Sequence, residues 1–204
     1  MKKRLLVAAT AMLVTFSSQA QSMQSLWASM PDSLLPYLNH KTRTLMVDAV
    51  GDTVSSSNNL SSVSSIVAIT ADYLKATLTE ASSIEMKRFA NLNGDSVIAV
   101  VSTYYGPEPE SQLNIYDTTW RLLAANLQLD ATLSRPDTMT EDEFELLKDK
   151  VEPLICAYHL SPNNLFLSAT YALPIHHLED KQKLKAILRE KKYNLPTLLQ
   201  NEVK

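Results

Sequence analysis

The chain has 204 residues, 45% of them hydrophobic, with 19 Lys+Arg against 22 Asp+Glu and a formal charge of −3. That length and apolar content supply a core for one domain or two small halves, and the acidic balance argues against general binding of nucleic acid. The single cysteine, Cys156, excludes an intramolecular disulfide, so stability must come from packing.

The chain starts as an export signal does. Lys2, Lys3 and Arg4 precede an apolar run from Leu5 to Phe16 and then Ser18-Gln19-Ala20, which predicts cleavage after Ala20. The run is shorter than the roughly 20 apolar residues of a spanning helix, so no membrane span is expected after cleavage. Loss of the three basic residues leaves 16 against 22 acidic ones, a formal charge of −6. The expected location is the periplasm or outside the cell.

Leu26, Trp27 and Met30 precede Pro31-Asp32-Ser33-Leu34-Leu35-Pro36, where the prolines permit only a short helix or turn. Leu45, Met46, Ala49 and Val50 recur at helical spacing, with Gly51 placed as a C-terminal cap. The serine-rich stretch over 52–65 reads as a loop, because such side chains compete for the backbone. From Ile66 to Leu123 the pattern alternates. Leu74, Ala76 and Leu78 face one way and Lys75, Thr77 and Thr79 the other, which predicts strands with one wet face. Asn93-Gly94 offers the positive φ angles of a tight hairpin between Glu85–Leu92 and Ser96–Tyr104. Leu113 to Tyr116 and Trp120 to Leu123 continue an antiparallel meander.

Thr140-Glu141-Asp142-Glu143 is a capping box ahead of an apolar stripe of Phe144, Leu147 and Val151, and Pro153 is expected to stop that helix. Ser161-Pro162-Asn163-Asn164 is turn chemistry between strands at Leu154–Leu160 and Leu165–Leu173. A last helix from about Glu179 carries Leu184, Ile187 and Leu188, with Lys191 and Lys192 in its final turn. The class is α+β, antiparallel sheet covered by helices. A unit over 21–125 and another over 126–204 are the expected organisation, with the join in 125–139. Two tandem helix-plus-meander units or one shared sheet both fit that order.

Three glycines, Gly51, Gly94 and Gly106, are too far apart to cradle phosphate or frame a serine nucleophile. Cys156 lies in a strand-like run, where a lone cysteine is a small buried hydrophobe. Among His40, His159, His176 and His177, the adjacent pair would point apart on a strand, and no HExxH or cysteine pair accompanies them. No cofactor or metal is expected. His177 with Asp180 is the one metal pair the spacing suggests, and polar residues at a strand-to-helix junction are its ordinary explanation.

Glu141 and Glu143 are accounted for by capping. The remaining candidate site is Tyr104-Tyr105-Gly106-Pro107-Glu108-Pro109-Glu110, where aromatic faces beside carboxylates could hold a sugar. Tyr104, Tyr105, Glu108 and Glu110 are therefore the candidate binding residues, with none assigned to catalysis. The lysine-rich run Lys181 to Lys192 reads as a solvated face, or as a docking surface for anionic partners.

Met30-Pro31-Asp32-Ser33-Leu34-Leu35-Pro36-Tyr37-Leu38, Tyr105-Gly106-Pro107 and Ile115-Tyr116-Asp117-Thr118 before Trp120 carry a resemblance. By these the chain resembles a family of exported proteins from Gram-negative gut anaerobes classified as a domain of unknown function (domain of unknown function 3256). The resemblance spans nearly the whole mature chain and implies export and a shared fold, with no activity attached. Tyr193-Asn194-Leu195-Pro196 departs from the aromatic strand that it implies at the C-terminal end. The function expected is a non-catalytic binding module for an envelope protein or glycan, using a sheet face or the groove between units. The competing expectation is a hydrolase of cell-envelope or dietary polymers, with Glu108, Glu110 or the His176/His177 segment as candidates.

Overall fold

The structure is a computed structural model that describes residues 21–50, 54–55, 63–151, 154–173 and 178–200. Its centre is a seven-stranded antiparallel meander in chain order. The strands are β1 (Val54–Ser55), β2 (Val63–Ile69), β3 (Tyr73–Thr79), β4 (Ser82–Ala90), β5 (Ser96–Tyr105), β6 (Pro109–Asp117) and β7 (Leu122–Ala124). Residues 54–55 and 63–65 thus belong to strands, although their serines had suggested a loop. Pairing against Val54 and Ser55 and then against β3 supplies the backbone partners that side-chain hydrogen bonds would otherwise offer.

The β4–β5 turn owes its shape to one residue. Gly94 takes φ +87°, its amide bonds Asn91 O at 3.0 Å, and Asn91 Oδ1 accepts from the amides of Asn93 and Asp95. Asn93 stays at negative φ, so the asparagine of the pair does not share the left-handed role expected of it. A further turn, after β6, is built on Asp117, whose carboxylate accepts from Thr119 and Arg121. It holds Trp120 at φ +67°, with the indole 5.6 Å from the Tyr116 ring.

One face of the meander carries Ile66, Leu74, Ala76, Ile84, Met86, Ile98 and Val100 against α1 (Met23–Ser29) and α2 (His40–Asp48). Ser22 and Asn39 cap these helices. Met23, Leu26 and Trp27 are fully buried. On α2 the buried residues are Arg43 and Met46, whereas Leu45 and Val50 are about half exposed. The expected stripe is displaced because Arg43 turns inward to the end of α1. Its guanidinium donates to the carbonyls of Trp27, Ala28, Met30 and Leu38 and pairs with Asp32 at 2.9 Å. Gly51 lies outside the described residues.

The opposite face is also covered, by the second part of the chain. There β9 (Ile155–Leu160), β10 (Phe166–Ala172) and β12 (Lys191–Asn194) make a three-stranded sheet in the order β12-β10-β9. β8 (Thr132–Leu133) pairs with β11 (Leu188–Arg189). Helices α3 (Glu141–Lys148), α4 (Leu178–Ile187) and α5 (Leu195–Leu198) complete the layer. Thr140 Oγ1 accepts the Glu143 amide as a capping box requires, while Glu143 Oε1 accepts from Lys183. Pro153 is outside the described residues.

Val97, Ala99, Val101, Leu113 and Ile115 of the meander share one apolar cluster with Tyr158, Leu160, Leu167 and Leu184 of this layer. Over β4 to β6 the face expected to be wet is therefore a second core, while Lys75, Thr77 and Thr79 of β3 stay partly exposed. The last helix ends at Ile187, and Lys191 and Lys192 lie in β12, where Tyr193 pairs with Leu167. An aromatic strand is present at the C-terminal end after all. Pairing with β10 supplies the backbone bonds that a longer helix would have made internally.

Candidate functional site

The apolar interface between the two sheets is pinned along β9 by polar and charged side chains. β9 is an edge strand, and the amides of Tyr158 and Leu160 receive side-chain partners from the meander. Tyr158 N donates to Ser111 Oγ at 3.1 Å and Leu160 N to Glu85 Oε2 at 2.8 Å. Side chains thus replace the strand that would otherwise complete this edge. Glu85 is only 4% exposed; Lys75 reaches it at 3.0 Å, and His159 Nδ1 lies 3.5 Å away. Burial pushes the Glu85 carboxyl up, but the hydrogen bonds and charge from His159, Lys75 and the Leu160 amide outweigh it and hold the group below its ordinary value. Lys87, 1% exposed, pairs with Asp72 at 2.9 Å and donates to Pro162 O, tying down the β9–β10 turn.

The tyrosine-acid segment nominated by the sequence is divided by the pleat. Tyr104 stands opposite Glu110, and Tyr105 opposite Pro109, so Tyr104 and Glu110 share one sheet face and Tyr105 takes the other. Tyr105 leans on the interface through a 2.8 Å bond from its hydroxyl to Ser83 Oγ. Glu108 goes elsewhere. The prolines of Gly106-Pro107-Glu108-Pro109 close the β5–β6 turn without calling on missing amide donors, and they carry Glu108 to α4, where Lys181 Nζ approaches within 2.6 Å. Lys181, and more weakly Lys185, hold the Glu108 carboxyl below its ordinary range against slight desolvation.

Glu108 and Lys181 stand at a cleft of about 220 Å³ between the β5–β6 turn, β10 and α4. Its walls are Pro109, Ala157 and the chain from Thr170 to Leu173. Lys181 and Lys185 fall at i and i+4, which aligns them on one side of α4, and Leu188 of β11 adds an apolar side chain beyond the helix end. Tyr171 presents its ring here because its hydroxyl is engaged elsewhere, with Asp130 O and Tyr193. The result is an apolar slot with cations at its rim. Sequence reasoning singled out Glu108 but assigned it to a sugar platform. The i, i+4 pair of Lys181 and Lys185 was the signal that could have located the rim of the slot.

Other candidates are accounted for by packing. Cys156 is half-buried; burial pushes its thiol up, a hydrogen bond with Tyr158 opposes this, and the Glu110 charge adds to it. A thiol so placed is a poor nucleophile. His40 Nδ1 contacts Ala28 O at 2.7 Å. His176 and His177 lie outside the described residues, as does the side chain of Asp180. Among the described residues no three His, Cys, Asp or Glu side chains are grouped to hold a metal ion, and no helix is long and apolar enough to cross a membrane.

These features define an α+β protein in which an antiparallel meander is sandwiched between helices and a second, smaller antiparallel sheet, with a cleft where the two parts meet. The chain belongs to the family described as "Protein of unknown function (DUF3256)", whose model matches residues 15–195. Among solved structures it is similar to a domain of an uncharacterized protein from Porphyromonas gingivalis W83. The TM-score is 0.65 at 18% identity, over 84% of this chain and 92% of that one. This likeness shows the fold. No curated protein matches the chain.

Proposed function

We propose that the protein is an exported, non-catalytic binding module that works in the periplasm or outside the cell and holds its ligand in the cleft between its two parts. Residues 1–20 support export. The observation that carries the binding role is the concave slot itself, where an apolar wall meets a few charged groups as ligand sites do. The non-catalytic reading draws on the titratable groups. Glu85 is occupied by Lys75 and the Leu160 amide, Glu108 by Lys181, and the Cys156 thiol is raised. None is poised near neutrality as a general acid or base would be.

A test that presumes no ligand is an amide-resolved NMR screen with mixtures of small organic fragments. Shifts clustered at residues 157, 170–173 and 181–188, and lost in Ala172→Phe, are the expected result. Shifts confined to other surfaces would refute this use of the cleft.

One arrangement favours the second reading, a hydrolase of envelope or dietary polymers. Ser168 stands opposite His159 in the β9–β10 pair, and His159 Nδ1 faces Glu85. Hydrolysis of a polysaccharide or peptidoglycan panel that disappears in His159→Ala would establish that reading; full retention would dismiss this trio.

A further inference from the structure

We infer that the cleft takes a small organic carboxylate, with its apolar body against Tyr171, Leu173 and Leu188 and its charge on Lys185. This rests on the reading of the cleft as the ligand site and adds the chemistry of the ligand.

Size comes first. A cavity of about 150 Å³ lined by apolar side chains accepts benzene, so about 220 Å³ accommodates a short acyl chain or a single aryl ring with its acid group. A polysaccharide or a folded partner could seat only one such group in it.

Charge comes second. Among the described residues the cleft's ionised groups are Glu108, Lys181 and Lys185. Glu108 and Lys181 neutralise each other at 2.6 Å. Lys185 forms no ion pair among the described residues, and its field reaches Glu108 only at longer range. Among these groups one positive charge is left over, one helical turn from the paired lysine and next to an apolar wall. A lysine in that setting lays its methylenes on the wall and keeps its ammonium at the water boundary, where it can meet the head of a bound acid. A cationic ligand would be repelled by the one unbalanced ammonium, that of Lys185. A neutral ligand would cover the apolar wall but leave the Lys185 charge without a counter-ion, so it gains only the apolar part of the binding. A dianionic phosphate would be left with charge that one spare lysine does not match, and lysine lacks the fork with which arginine grips phosphate.

The experiment compares three probes of equal length on the purified protein: hexanoate, 1-hexanol and hexylammonium. Amide shifts and calorimetry give the site and the affinity. Hexanoate is expected to perturb amides at 170–173 and 184–188 and to bind about fivefold more tightly than hexanol, the scale of a partly exposed ion pair. Hexylammonium is expected to leave these amides unmoved. Added salt should weaken hexanoate and leave hexanol unchanged. Lys185→Gln should erase the preference for the acid, and Lys185→Arg should keep it; the residue is exposed, so both variants should fold.

Equal binding of hexanoate and hexanol, or a Lys185→Gln variant that keeps the preference, would overturn the carboxylate assignment while leaving the cleft a binding site. Failure of all three probes to move the cleft amides would also overturn it. The fragment screen would then decide separately whether the cleft binds anything.

Discussion

Replacing Glu85 by alanine tests whether the second sheet is held through its edge. Glu85 Oε2 is the acceptor for the Leu160 amide at 2.8 Å, and the two residues are 4% and 3% exposed. Alanine leaves that amide buried and unpaired, which costs about 1–3 kcal/mol. Lys75 and His159 also lose a partner, but their side chains are 33% and 46% exposed and can hydrate, so they add only a few tenths, about 0.5 kcal/mol together. The expected loss is about 2–3 kcal/mol by urea denaturation. For a domain of this size that lowers the melting temperature by about 4–12 °C. Glu85→Gln keeps an acceptor oxygen and should lose about half as much.

The advantage of wild type over Glu85→Gln should depend on pH. The folded carboxyl lies below the ordinary 4.5, so its stabilisation is complete above that value and disappears as pH falls through the folded value. A Glu85→Ala variant within about 0.5 kcal/mol of wild type would refute the reasoning. It would mean that the desolvation of the carboxylate cancels everything it holds.

Arg43→Ala should destabilise by about 3 kcal/mol or more, because it strands several carbonyls at the end of α1. Arg43→Lys should rescue little of this, since one ammonium cannot span the fork; urea melts followed by Trp27 fluorescence give both values. Gly94→Ala should cost about 1–2 kcal/mol through backbone strain alone, because a methyl there would meet nothing within 4 Å at φ +87°; thermal melts measure it. Cys156 should react slowly with a thiol-exchange reagent at pH 8 in the folded protein and rapidly in urea, since burial raises its thiol. Equal rates would show an exposed thiolate.

Residues in β3 show where the sequence stopped being informative. The alternation of Leu74, Ala76 and Leu78 with Lys75, Thr77 and Thr79 established a strand and its two faces, because side-chain direction has a period of two whatever lies beyond the sheet. It could not tell that, over the neighbouring strands β4 to β6, a second sheet covers that same face. Nor can spacing reveal that Glu85 and Lys87 are buried: a charge facing water and a charge facing a buried ion pair recur with the same period. Arg43 likewise looks like an exposed helix residue until the end of α1 is placed against it.

What the sequence determined by itself was local. Turn chemistry at Gly94 and at Ser161–Asn164, the Thr140 cap, the apolar stripe of α3 and the α+β class all follow from short-range sterics and hydrogen bonding. Tertiary structure decided what depends on residues far apart in the chain: that Lys191–Asn194 ends as a strand on β10, that Tyr104 and Tyr105 part across the sheet, and that Glu108 crosses to Lys181 on α4. The cleft belongs to this second group. It exists only because two parts of the chain, each folded by its own local rules, bury a common core and leave a gap where the β5–β6 turn meets α4.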